Sequence, residues 1–375
     1  MTQSLTWAQV LARRLERNHL LRRAARERML EVAGEVGGIQ AQVLSAAELG
    51  LAIRVDGITQ DDVRRALWAD RTLVKSWTHR STLHLVPSSE LPMWLAARRA
   101  ITKWREPKWY EQHNLTPKRT DALLAAIVDV LDGRRLLRDE LATEVTKRVG
   151  AWAQQGLQSQ WSEVVGLGFQ AGLVCFGPSE GARVSYVRRD QWLRSWSDPD
   201  PRESLIEVAR RYLRVYGPAT PRAFATWFAG RHVDPDELRA VFESIGVKEV
   251  DVAGKRAWTL ADDIDAAESQ SSVRLLPQYD CYILGSRFGR EQIVTQSLRD
   301  LLARLDRPSF EGAVGHSLLL VDGVVDGIWK RTKRGKRIEV AVTPVSPLGA
   351  NERKRVREEA DRIAAFLEAP VELEA

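Results

Sequence analysis

Two glutamines stand two residues apart in the segment GGIQAQV, residues 37–43. An amide side chain donates and accepts hydrogen bonds but has no pKa near neutrality. Gln40 and Gln42 therefore cannot act as a general base in the ordinary sense. What two amides can do is orient: together they could hold a water and a sugar or phosphate oxygen. Backbone geometry decides whether they converge. In a helix, side chains at i and i+2 diverge by about 200°, whereas in extended backbone they share a face. Gly37 and Gly38 should end the preceding helix, which favours the extended option. On spacing alone the pair reads first as two surface glutamines.

A second group is cationic. VVDGIWKRTKRGKRIEVAV, residues 324–342, reads as a β-hairpin with Gly335 at its tip and Lys330, Arg331, Lys333, Arg334, Lys336 and Arg337 at and beside it. Such a ribbon can enter a groove of DNA or clamp phosphates. The alternative is a sheet edge protected by charge. Trp329 could stack on a base, but the better expectation is that it packs the hairpin base.

A third group lies in SWTHRSTLHLVP, residues 76–87. On a continuous strand Arg80, Thr82 and His84 share one face and His79 points to the other. These four are candidate DNA contacts; the alternative is an exposed wing. No serine or cysteine is placed to pair with either histidine as a nucleophile. In LLPQYDCYILGSR, residues 275–287, Asp280 sits in an apolar run read as a strand. A buried Asp needs partners, and Arg287 is one candidate, so pairing is expected ahead of catalysis.

Several chemistries are missing. The chain has no GxxxxGK[ST], no GxGxxG after a strand, no HExxH and no zinc-deaminase signature. Cys175 and Cys281 are its only cysteines, too few for a disulfide framework or a four-thiolate site. No metal and no cofactor are expected. No stretch approaches the ~18 apolar residues of a membrane span, and the N-terminus lacks a secretory core. The expected location is the cytoplasm, associated with the nucleoid.

The elements that must position these groups repeat in order. Across 375 residues, 44% hydrophobic and 28% charged, three stretches each run from short helices into a strand pair. The first ends in LVKSW and STLHLVP. In the second, Thr116 and Pro117 start a helix, and LVCFG and ARVSYVRR close the unit. The third starts helices at Thr220-Pro221 and Asp234-Pro235, and VKEVDV and KRAWTL close it. Helices followed by a β-hairpin make a winged helix. From about residue 273 the pattern turns to strands with tight glycine turns, then a last helix. The expected fold is α+β: winged helices over residues 1–113, 114–199 and 200–268, then a small C-terminal antiparallel β-barrel over 269–375. Any α+β chain with hairpins could be parsed this way.

Charge points the same way. Lys plus Arg is 56 against 50 acids, and 45 of the 56 are arginine. Seven arginines fall in residues 1–28 and six basic residues in 330–337. Local clusters of this kind are the footprint of nucleic-acid binding, although arginine richness also follows from GC-rich coding.

Taken together, GIQAQV, HRSTLHLVP and LLPQYDCYILG resemble the AlkZ-like winged-helix DNA glycosylases, over nearly the whole chain. The most specific element is Gln-apolar-Gln, here Gln40-Ala41-Gln42; the related YcaQ type has Asp at the third position. The resemblance implies three tandem winged helices with a β-barrel, and Gln40 and Gln42 as catalytic residues. It implies excision of cationic N7-alkylated purines from double-stranded DNA, with some members unhooking interstrand crosslinks, and a C-terminal hairpin approaching the DNA. A monomer is expected. A non-catalytic winged-helix regulator is the competing reading, since winged helices serve both.

Overall fold

The computed structural model describes residues 3–154, 163–181, 183–230, 233–262, 271–306 and 315–374. His232, the start of the helix expected in SQWSEVVGLGFQAG and the boundary expected at 268/269 lie outside the described residues. The chain divides into two units, one of them discontinuous: Met1–Val63 with Ala209–Ala375, and Arg64–Val208.

The discontinuous unit opens with the strand Gln3–Leu5 and the helix Trp7–Arg17. Thr6 starts that helix through a capping box: its hydroxyl accepts from Gln9 N at 3.3 Å, and the Gln9 carbonyl oxygen accepts from Thr6 N at 2.9 Å. Such a cap is worth about 1 kcal/mol. Gln3–Leu5 pairs parallel with Val247–Val252, which forms a hairpin with Lys255–Leu260. Leu5, Val10, Val250, Val252 and Ala257 close a small core there with Trp7 and Phe288. The helices Pro221–Phe228 and Pro235–Glu243 precede that hairpin, capped by Thr220 and Asp234 as their sequence dictates.

The C-terminal part is a curled five-stranded sheet, in the order Val273–Leu276, Ser317–Val321, Val324–Arg334, Arg337–Pro344, Val371–Glu374. Its first three pairings are antiparallel and its last is parallel, so the expectation of an all-antiparallel barrel is corrected. The helix Ala350–Phe366 lies against both edge strands. The reason for the parallel pairing is connectivity. A whole helix separates Pro344 from Val371, which is the crossover length a parallel neighbour needs.

The second unit holds the hairpin Leu73–Trp77 and Leu83–Pro87, then the helices Leu91–Thr102, Pro117–Val130, Arg138–Val149 and Glu163–Gln170. The hairpin Val174–Glu180 with Arg183–Arg188 follows. Its core is aromatic, with the Phe169 and Phe176 rings 4.7 Å apart and Trp77 4.9 Å from Phe169. Gly166 faces Trp77 so closely that a methyl there would lie 3.0 Å from the indole.

One further expectation is corrected. The apolar run DCYILG is not a strand: Asp280 caps the short helix Cys281–Gly285, accepting from Tyr282 N at 2.9 Å. The N-terminal arginines divide: Arg13 and Arg14 are buried, Arg23 is half-buried, and Arg17, Arg22 and Arg26 are exposed. Arg14 is wholly buried and donates to the carbonyls of Tyr216, Phe288 and Pro218 at 2.9, 3.0 and 3.0 Å. Arg23 pairs with Glu359 at 2.5 Å and Arg26 with Asp62 at 2.7 Å.

Candidate active site

Gly37 and Gly38 both take positive φ, 78° and 88°, after the helix Met29–Glu35. A residue with a Cβ adopts that conformation only at a cost, so the pair of glycines sets the reversal. Ile39–Gln40 then runs extended, as expected from the glycine break, and the chain bends into the helix Leu44–Ala52. Gln40 is 7% exposed, whereas Gln42 is at the surface. Contacts on either side help hold the segment. The Tyr216 hydroxyl donates to Val36 O at 2.7 Å, just before the glycines. Gly50, on the following helix, lets Ile39 approach: a methyl on Gly50 would lie 3.0 Å from the Ile39 side chain.

That helix, with Val43 just before it, carries Ser45, Ala46 and Leu49 into a cleft of about 500 Å³. Opposite them stand Ile328, Trp329, Lys330 and Arg331 of the basic strand, Ala341 and Thr343 of its partner, Pro277 and Gln278, and His316. Val43, the residue after Gln42, thus lines one cleft with Lys330 and Arg331 of the basic ribbon; Gln40 and Gln42 themselves are not among its lining residues. Glu48 lies on the same helix, fully buried, and its Oε2 accepts from Gln60 Nε2 at 2.5 Å. Desolvation lowers the pKa of Arg331, and the Glu48 charge opposes it. The guanidinium stays cationic either way.

The ribbon is the hairpin Val324–Arg334 and Arg337–Pro344, closed where Arg334 faces Arg337. All six basic side chains are exposed. Arg334 pairs with Glu339 at 3.2 Å and Arg337 with Glu372 at 2.5 Å, which leaves the lysines and Arg331 as the stronger positive points. Trp329 packs the hairpin base: it is 5% exposed and its Nε1 donates to Leu276 O at 2.8 Å.

The residues 76–87 behave differently from the strand reading. A 3-10 turn, His79–Ser81, interrupts the hairpin, with Arg80 and Ser81 at φ 53° and 54°. The turn resets the alternation, so His79 and His84 stack with ring centroids 3.6 Å apart instead of facing apart. Both are buried, with Thr78 Oγ1 at 3.2 Å from His79 Nδ1 and 2.9 Å from His84 Nδ1. Arg98 donates to Thr78 O at 3.2 Å and to Ser81 Oγ at 2.5 Å. The side chains of both histidines, expected as DNA contacts, thus lie inside, in a polar network. Thr82 and Arg80 are half-buried.

Asp280 finds a partner that sequence spacing did not indicate. Arg54 meets it through two hydrogen bonds of 2.8 and 2.7 Å. Gln278, His316 and Glu48 were also not singled out from the sequence. Nothing in a lone polar residue announces that distant strands will bring it to a cleft. Both cysteines are buried, and burial pushes each thiol up to about 12. Among the described residues no three His, Cys, Asp or Glu side chains gather as a metal-ion set, and no helix is long and apolar enough to cross a membrane. A larger groove, about 1160 Å³, lies by Phe242 and Trp258; it is mainly apolar and holds none of the candidate site residues.

The model of the AlkZ-like DNA glycosylase family matches residues 33–366. An interstrand DNA cross-link repair glycosylase from Streptomyces sahachiroi is 31% identical over 369 residues, 96% of each chain. The solved structure of the Streptomyces sahachiroi DNA glycosylase AlkZ superposes with a TM-score of 0.83 at 29% identity, covering 99% of this chain and 100% of that one. The reading as a non-catalytic regulator gives way to these likenesses. The chain belongs to the AlkZ-like family and is a DNA glycosylase, a hydrolase of N-glycosyl bonds.

Proposed function

We propose that this glycosylase hydrolyses the N-glycosidic bond of cationic N7-alkylated purines in double-stranded DNA, including bulky adducts and interstrand crosslinks. Gln40 and Gln42 are its catalytic residues, acting as a cytoplasmic, nucleoid-associated monomer without a cofactor. The observation that carries this is the cleft: the helix entered from Gln42 and the basic strand of Lys330 and Arg331 line it together. The relative's action on crosslinks supports the wider substrate range.

The chemistry suits amides. An N7-alkylated purine already carries positive charge, so its glycosidic bond can break with the electron pair going to N9 and a neutral base leaving. The sugar becomes oxocarbenium-like. A water adds to C1′ and releases its proton to solvent. Strong proton abstraction is unnecessary, and the protein's work is positioning and electrostatics. Gln42, at the surface, orients the water through its carbonyl oxygen; Gln40, buried beside it in the chain, holds the water or the sugar-phosphate from the other side.

Three winged helices, over 1–113, 114–199 and 200–268, would grip the duplex, while Lys330, Arg331, Lys333, Arg334, Lys336 and Arg337 hold phosphates beside the lesion. Arg80 and Thr82 are further DNA contacts in this reading. Extrusion into a closed pocket is not required, since a crosslinked base cannot be swung free.

The test is release of free base from duplex DNA containing N7-methylguanine, with Gln40→Ala/Gln42→Ala as control. Release by the wild type and not by the variant supports the reading. Equal release by both would place the chemistry elsewhere.

A further inference from the structure

The segment Leu276–Asp280 is pinned at both ends. Trp329 Nε1 donates to Leu276 O at 2.8 Å. At the other end Arg54 grips Asp280 in the bidentate pair, and Asp280 also caps the helix that follows it. Between the anchors Tyr279 has φ 59°, the left-handed region that an aromatic residue adopts only under constraint. Pro277 is buried beside Gly50, and Gln278, half-buried, lines the cleft with His316, Lys330 and Arg331. A buried ion pair and a strained residue are an expensive way to hold an ordinary loop. They make sense if the side chain between them must be presented in one place.

We propose that Gln278 is a specificity-determining residue of the glycosylase reaction, reading the minor-groove edge of the damaged guanine. This rests on the reading of the cleft given above. An adduct on N7 occupies the major-groove edge, so a protein group that identifies the base has to use another edge. The minor-groove edge of guanine offers an acceptor, N3, beside a donor, the 2-amino group. A glutamine amide matches both at once: Nε2 donates to N3 and Oε1 accepts from the amino group. Lysine and arginine in the cleft only donate; the Ser45, Ser317 and Thr343 hydroxyls and His316 can also accept, but the Gln278 amide alone sets a donor and an acceptor side by side.

The experiment compares single-turnover base release from duplexes carrying N7-methylguanine or N7-methylhypoxanthine. The second lesion keeps the N7 charge and lacks only the 2-amino group. Wild type, Gln278→Ala and Gln40→Ala/Gln42→Ala are measured, with thermal melting to confirm folding. The expected result is that Gln278→Ala lowers the guanine-to-hypoxanthine rate ratio by about 5- to 10-fold, the worth of one hydrogen bond. An unchanged ratio in folded Gln278→Ala, with the double-glutamine variant inactive, overturns this proposal and leaves the reading of the cleft standing. Wild-type release by the double-glutamine variant overturns both.

Discussion

Arg54 and Asp280 lie parallel, Nη1 to Oδ2 at 2.8 Å and Nη2 to Oδ1 at 2.7 Å, with both side chains removed from water. Burial works against the Arg54 charge, and Asp280 with the neighbouring groups outweighs it, so the guanidinium pKa is raised. The pair joins the end of the helix Leu44–Ala52 to the loop that carries Gln278. Removing one partner strands a charge in the interior. Asp280→Asn should therefore cost about 3–5 kcal/mol, while Arg54→Met/Asp280→Leu should cost less than the single change. Urea unfolding of the three proteins checks the order; a double variant less stable than Asp280→Asn would contradict it.

Gln42 and Gln40 should respond differently to substitution. Gln42→Ala removes the oriented water, and release of N7-methylguanine should fall about 100-fold. Gln42→Asp keeps an oxygen there and adds a charge that favours the cationic sugar, so it should retain activity. Single-turnover kinetics decide; equal loss in both variants would count against a water-orienting role.

Phosphate contacts release counterions, with a slope of about 0.9 per contact in log K against log salt. Replacing Lys330, Lys333 and Lys336 by alanine should flatten that slope by about 2 to 3. Arg334 and Arg337, each already beside a carboxylate, should matter less. Fluorescence anisotropy on duplex DNA across a salt series measures both triple and double variants.

His79 and His84 are held well below their ordinary pKa, first by burial, with Arg80 and Arg98 adding to it for both and His84 for His79. The folded chain keeps them neutral, while the unfolded chain binds protons near pH 6.5. Stability is therefore full above about pH 6.5 and falls as the pH drops below it, by up to about 1.4 kcal/mol per pH unit for each histidine. Melting of wild type and His79→Asn/His84→Asn between pH 7.5 and pH 5 tests this. A variant as acid-sensitive as the wild type would show that other groups control the loss.

Local rules carried the reading where chemistry was local. Thr116, Thr220 and Asp234 cap the helices their positions announced, and Leu73–Trp77 is the strand its apolar residues predict. The glycine break made Ile39–Gln40 legible as extended chain before any fold was known. Failures occurred where a tertiary contact overrode a short pattern. Cys281–Gly285 is apolar and short enough to be strand or helix, and the cap from Asp280, itself fixed by Arg54, decided for helix. The face of His84 could not be counted from Ser76 because Arg80 and Ser81 break the alternation between them. The basic ribbon was legible from charge alone, but the cleft it shares with Val43 was not, since no short-range pattern links residue 43 to residue 331.

The discontinuity of the first unit has a consequence for how activity arises during synthesis. Gln40 and Gln42 leave the ribosome early, and the whole of Arg64–Val208 follows before the rest of their own unit exists. Thr343, which also lines the cleft, trails them by roughly 15 to 60 s at ordinary bacterial translation rates. A nascent chain therefore carries both glutamines long before the cleft's lining is complete, and on the proposed reading it is inactive until the basic ribbon has been made. On that reading, a premature stop anywhere before the basic ribbon leaves a fragment that carries the glutamines and has no activity.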